Sequence, residues 1–217
     1  MLGLFDSGSG GLNTIRYIKK YFPSVDLVYK IDRENSPYGT KTQEKIIQIT
    51  KNNIDDLMSR GAEKILIACC TASTVYDFLD VEYKSAAIPI IIPIANAAMS
   101  ASKAKRIGII ATDHTVRSHA FKKAMTGCSL TEISAQELVA KIDGGLNDAS
   151  VSQQDINYLA DLIRPIANQN SDTLILGCTH FPALKNTFKR ICADLGIQNV
   201  IDSAEIGAIA LSSAASQ

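Results

Sequence analysis

The chain has no tryptophan, only three histidines, and no excess of either charge: Lys+Arg and Asp+Glu both total 22 among 217 residues. A net charge of zero gives the chain as a whole no electrostatic case for binding nucleic acid. Long hydrophobic runs are also missing. The apolar stretch 88–95 is far too short to span a bilayer, so no membrane association is expected. Met1 leads directly into a strand-like segment with no secretory pattern, which points to a cytoplasmic setting. Cysteine occurs as an odd set, at 69, 70, 128, 178 and 192, without a CxxC pair. That argues against a disulfide framework and for a reduced compartment. His114, His119 and His180 are the only imidazoles, and no cluster has zinc-ligand spacing, so no metal is expected. The early glycines fall at 8, 10 and 11, which is not the GxGxxG spacing of a dinucleotide loop. The turn 6–11 fits a smaller anion such as a carboxylate, held by exposed N–H groups and the Ser7 hydroxyl.

What is present is an ordinary globular composition, 46% hydrophobic and 20% charged, enough to bury a core. Strand-like runs alternate with helical patterns, the signature of α/β architecture. Strands are expected at 2–5, 25–31, 64–68, 89–94, 105–111, 130–134, 173–176 and 198–201. Helices are expected at 12–21, 42–60, 75–83, 95–104, 116–125, 136–142, 154–167, 184–195 and 206–213. The pattern restarts near residues 98 to 105. Each half has an early strand followed by a polar turn, and a later strand ending in a cysteine-bearing turn. Two pseudo-symmetric α/β domains of flavodoxin-like or Rossmann-like type follow, with a cleft between them. We divide the chain into 1–98 and 99–205, with the C-terminal helix 206–217 expected to pack back on the first domain.

Cys69 and Cys178 stand apart from the other thiols. Each follows a buried strand, precedes a threonine or a second cysteine and a threonine, and stands at the start of a helix-like segment. A helix N-terminus lowers a thiol pKa and offers N–H groups to an anion. Cys192, near Phe188 and Leu195, fits a simple core position. Three schemes suit the pair. Cys178 could be a nucleophile with His180 as base, which leaves Cys69 unexplained. A redox pair would use both, but the spacing for one is missing. Or one thiolate takes a proton from one face of a carbon while the other thiol returns a proton to the opposite face, with Asp6 and His180 tuning them.

Six segments carry a resemblance: FDSGSGG at 5–11, SPYGTKT at 36–42, IACCTAS at 67–73, IATDHTVRSHAF at 110–121, DTLILGCTHFPAL at 172–184 and IDSA at 201–204. In this combination and order the chain resembles the glutamate racemases, within the aspartate/glutamate racemase superfamily. The resemblance implies two α/β domains with the active site between them, and Cys69 and Cys178 as the two bases. Asp6 matches the aspartate that assists the first thiol, and His180 the histidine that assists the second. Ser7, Pro37, Tyr38, Gly39, Cys70, Thr71, Thr112, Thr115 and Thr179 match positions in or near the substrate pocket. The implied reaction interconverts L- and D-glutamate without pyridoxal phosphate, metal or other cofactor, and supplies D-glutamate for bacterial peptidoglycan. Family members are commonly dimers, so a homodimer is expected.

The chain departs from the family pattern at several points. Cys70 stands where the family usually has asparagine, and a thiol cannot reproduce a carboxamide's hydrogen bonds. AQELVAKID at 135–143 replaces the usual CPLxVPLVE, with Asp143 at the place of the family glutamate. YKID at 29–32 keeps Asp32 of the family's YFGD-like strand end but brings Lys30 and Ile31. Two alternatives follow: a racemase of another acidic amino acid such as aspartate, and a non-catalytic relative with a binding or regulatory role. His180 after Cys178-Thr179 favours glutamate within the resemblance.

Overall fold

The computed structural model describes residues 1–214. Eight strands form two separate four-stranded sheets. The first contains β1 (Leu2–Asp6), β2 (Leu27–Ile31), β3 (Lys64–Ile67) and β4 (Ala87–Pro89); the second contains β5 (Arg106–Ala111), β6 (Ser129–Ser134), β7 (Thr173–Gly177) and β8 (Asn199–Asp202). Their orders are β2-β1-β3-β4 and β6-β5-β7-β8, and every pairing is parallel. The two orders are the same, so the half-repeat read from the sequence is a repeat of topology. In each sheet the strand order reverses beside the first strand, between β1 and β3 and between β5 and β7. The loops leaving those strand ends diverge and leave a crevice.

Alternation along the strands builds the layers. In β3, Ile65 and Ile67 face the helix Gln43–Ser59, packing with Ile46, Ile49, Ile54 and Leu57. Leu66 points the other way, with Leu4, to a layer shared by both sheets. Ile107, Ile109 and Ile175 reach that layer from the second sheet, and the helices Ile91–Ala101 and Ser203–Ala214 fill it. Ile110, Leu174 and Leu176 face the outer helices through Leu159, Ile163, Ile166 and Phe188. Burying each such side chain contributes about 1.5–3 kcal/mol before entropy is counted. The terminal helix packs onto the first half: Gly207 lies so close to Ile90 and Leu66 that an added Cβ would come within 3.0 and 3.2 Å of them.

Three local expectations are corrected. The run 89–94 is not a strand: β4 ends at Pro89, and Ile91–Ala101 is a helix that stops short of residue 104. A short β-branched run reads alike as strand or buried helix. Pro93 is harmless because it lies in the first turn, where its missing N–H has no intrahelical partner anyway. The helix expected over 75–83 is a 3₁₀ turn, Tyr76–Phe78, followed by the helix Val81–Ala86. Leu79 and Asp80 between them are extended. The helix expected over 116–125 is two helices, Asp113–Ser118 and Ala120–Ala124. His119 divides them by taking the left-handed conformation, with φ 51°.

Candidate active site

Cys69 and Cys178 occupy the same place in the two sheets. Cys69 lies two residues beyond β3 and Cys178 directly after β7. Both thiols, together with Cys70, line one narrow cavity between the sheets. Its volume is about 20 Å³, which is room for about one water molecule. An amino acid needs a far larger site. The cavity is therefore in a closed form, too small as it stands for a substrate of that size.

The backbone presents each sulfur to N–H groups. Cys69 caps the short helix Cys70–Ser73, and the Ala72 N–H donates to its Sγ at 3.5 Å. The Cys69 thiol donates to Ser7 Oγ at 3.3 Å. Burial, with the nearby Asp6 charge, pushes the Cys69 thiol up to about 11. Burial also pushes Cys178 up, against the His180 backbone N–H that favours its thiolate; the charge of Cys69 adds to the rise. The two sulfurs thus feel one another across the cavity. Cys70 is raised as well, by burial and then by Cys178 and Cys69.

His180 sits beside Cys178, with Nδ1 3.6 Å from Sγ. Its Nε2 lies 3.2 Å from Asp143 Oδ1 but outside hydrogen-bonding geometry. Asp143 Oδ1 accepts from Ser9 Oγ at 2.7 Å, so a residue of the first half meets the imidazole's neighbour in the second. Asp6 does something other than touch Cys69. Its Oδ2 accepts from the N–H groups of Gly8 (3.1 Å) and Gly11 (2.9 Å), and Thr179 Oγ1 donates to it across the cleft. Burial raises its pKa, while the His180 charge and these hydrogen bonds pull it down. Asp6 therefore fixes the glycine-rich turn and acts on the thiols through its charge.

The remaining residues singled out in the sequence surround the same cavity or support it. Ser7, Pro37, Tyr38, Gly39, Thr71, Thr112 and Thr179 line it; Thr115 does not but lies directly behind. Thr71 Oγ1 is 2.9 Å from Thr112 Oγ1 and 3.3 Å from Thr115 Oγ1, a buried hydroxyl cluster joining the halves. The Tyr38 hydroxyl turns away to donate to Asp32 Oδ2 at 2.6 Å, and Asn53 Nδ2 donates to Asp32 at 3.0 Å. Tyr38 therefore offers the cavity its ring and backbone rather than its hydroxyl. Among the described residues, no group of three His, Cys, Asp or Glu side chains is placed to hold a metal ion.

Sequence reasoning missed Ser36, Gln136, Val139 and Gly177 in the lining, and Asn13, whose Nδ2 donates to Thr179 O at 3.0 Å. Gln136 had a usable signal. It opens the helix after β6, so it stands at a strand's C-terminal end, the position that marked the cysteines.

Residues 13–211 match the Asp/Glu/Hydantoin racemase family. The chain belongs to that family. Among relatives, the glutamate racemase of Aquifex aeolicus (strain VF5) is 32% identical over 214 residues, 97% of this chain and 81% of that one. The glutamate racemase of Koribacter versatilis (strain Ellin345) is 34% identical over 217 residues, 97% and 73% of the two chains. In structure, a glutamate racemase isoform from Bacillus anthracis superposes with a TM-score of 0.86 at 28% identity, covering all of this chain and 81% of that one. An aspartate racemase from Picrophilus torridus, at 24% identity and TM-score 0.67, shares the fold. No helix of the described residues is long and apolar enough to cross a membrane.

Proposed function

We propose that this family member interconverts L- and D-glutamate without a cofactor, with Cys69 and Cys178 as the two bases. The observation that carries the reading is the pair of thiols at equivalent strand ends, lining one closed cavity. A substrate α-carbon between them presents one face to each sulfur. One thiolate removes the α-proton and the opposite thiol delivers a proton to the other face, so the centre inverts. Which thiol acts as base depends on the enantiomer bound.

The electrostatics suit a site that works only when filled. Burial raises both thiols in the closed form, which favours their protonated state. A substrate ammonium brings a positive charge into a low-dielectric space and favours a thiolate there. Hydroxyls from Ser7, Thr71, Thr112 and Thr179, with N–H groups of the cysteine turns, are among the groups that line the cavity for a carboxylate. His180 beside Cys178 relays or stabilises the proton on that side, and Asp6 holds the opposite turn. Asp143 takes the place of the family's glutamate near His180.

The same reading assigns the chain to the cytoplasm and to the supply of D-glutamate for peptidoglycan, as a homodimer, with the domains divided at residues 98 and 99. The glutamate racemase of Francisella tularensis whose structure holds D-glutamate superposes with a TM-score of 0.85 at 25% identity, covering 98% of this chain and 80% of that one, which supports glutamate as the substrate. The likeness to aspartate racemases is one of fold and favours no second substrate.

The test is interconversion by folded, reduced protein without added cofactor, followed by chiral chromatography. Wild type converts either enantiomer of glutamate to a mixture of both. Cys69→Ser and Cys178→Ser each abolish it. Full activity in either variant overturns the two-base assignment.

A further inference from the structure

The cavity lining contains no lysine or arginine. Any carboxylate entering it must be met by hydroxyls, backbone N–H groups, His180 or Gln136. Gln136 alone among the lining side chains carries an NH2 group. Several of the hydroxyls already have partners: Thr71 with Thr112 and Thr115, and Thr179 with Asp6. Gln136 is different.

Its orientation follows from chemistry. The Asp113 N–H points at the Gln136 carboxamide at 3.4 Å, and a backbone N–H can only donate. The oxygen therefore faces Asp113, which leaves Nε2 as the free end. Among the described residues Nε2 makes no hydrogen bond. The same carboxamide packs against Gly39 from across the cleft: a Cβ there would overlap Gln136 Oε1 and lie 3.2 Å from its Cδ. Asp113 and Gly39 belong to neither cysteine turn, so the Gln136 carboxamide lies off the segments that would flank an α-carbon.

From these observations we infer that Gln136 determines specificity by donating from Nε2 to the side-chain carboxylate of the substrate. This deepens the proposed function and rests on it. With Oε1 held toward Asp113, the free end of the group, Nε2, presents donors. It suits a carboxylate, which accepts only, and disfavours the NH2 of a substrate carboxamide, which needs an acceptor.

The test uses Gln136→Glu and Gln136→Met in the full chain. Calorimetry measures binding of D-glutamate and D-glutamine, and steady-state kinetics gives kcat and KM for D-glutamate. Gln136→Glu should raise Kd and KM for glutamate by about tenfold or more near neutral pH, with kcat little changed. That penalty should shrink as pH falls and the introduced carboxyl protonates, and the variant's preference should move toward glutamine. Gln136→Met should weaken glutamate binding by a similar factor at every pH, which keeps the test alive if the charged variant fails to fold. Kd and KM within about twofold of wild type in a folded variant overturn the inference, as does a fall in kcat with KM unmoved. Wild type that neither binds nor racemises glutamate overturns the proposed function and this inference with it; wild type that does both, beside unaffected variants, overturns this inference alone.

Discussion

Thr179 Oγ1 lies 3.1 and 3.2 Å from the two carboxylate oxygens of Asp6, so the turn after β7 is tied to the turn after β1. The bond joins the loop after the first strand of one sheet to the loop after the third strand of the other, beside the cavity. Asp6 is fully buried, and its other partners are two backbone N–H groups. Thr179→Val keeps the shape and removes the hydroxyl. The buried carboxylate then loses its cross-cleft donor, at a cost of about 1–3 kcal/mol. Urea unfolding of the variant against wild type measures this. An unchanged midpoint would mean that the halves close without the bond.

Gly10 faces the same turn from the first half. An added Cβ would lie 2.6 Å from the Thr179 carbonyl carbon and 2.7 Å from the His180 nitrogen. Its backbone is ordinary right-handed helical, φ −58°, so alanine is tolerated locally. Gly10→Ala should therefore fold and yet hold the cleft ajar. Racemisation should fall at least about tenfold, equivalent to about 1.4 kcal/mol of activation free energy. Circular dichroism and kinetics on the same sample separate the two effects. Wild-type turnover in this variant would show that the closed contact is dispensable.

The Cys69 thiol, raised to about 11 by burial and the Asp6 charge, should resist alkylation at neutral pH. Only the thiolate reacts, and it becomes abundant as pH passes the thiol pKa. The rate of iodoacetamide modification at Cys69, read by peptide mass spectrometry, should rise with a midpoint well above that of an ordinary thiol near 8.5. A midpoint at or below that value would place Cys69 in a more open or more positive setting.

Tyr38, Asp32 and Asn53 form a buried network behind the cavity. Burial alone would raise the Asp32 pKa, but donation from Tyr38, Asn53 and Asn35 outweighs it and holds the carboxyl below its usual range. A depressed carboxylate contributes stability above its unfolded pKa and loses it as pH falls through the folded value. Tyr38→Phe should destabilise by about 1–3 kcal/mol at neutral pH. The difference from wild type should begin to narrow below about pH 4, where the unfolded chain's carboxyl protonates, and close as pH falls through the depressed folded value. Denaturant melts at both pH values check the sign.

Much of this site was legible in the sequence because its chemistry sits at strand ends. Cys69, Cys178 and Thr112 each follow, and Asp6 ends, a strand marked by a short apolar run, and the repeat of that pattern pointed to two facing halves. Three things were not legible. Periodicity could not distinguish a strand from a buried helix over 89–94, because a helix packed between two sheets is apolar over much of its surface. The break at His119 depends on a left-handed residue that no glycine announces. The partners of Asp6 and Gln136 are tertiary: Thr179 lies 173 residues from Asp6, and only the closed arrangement brings them together.

The most direct measurement of the two-thiol reaction is hydrogen exchange at the substrate's α-carbon. Reduced, cofactor-free protein is incubated with L-glutamate in deuterated water, and proton NMR and chiral chromatography follow the products. The expected result is D-glutamate deuterated at the α-carbon, formed at the rate at which optical rotation falls, with Cys69→Ser and Cys178→Ser inactive in inversion. Folded protein that leaves glutamate undeuterated and unconverted would contradict it.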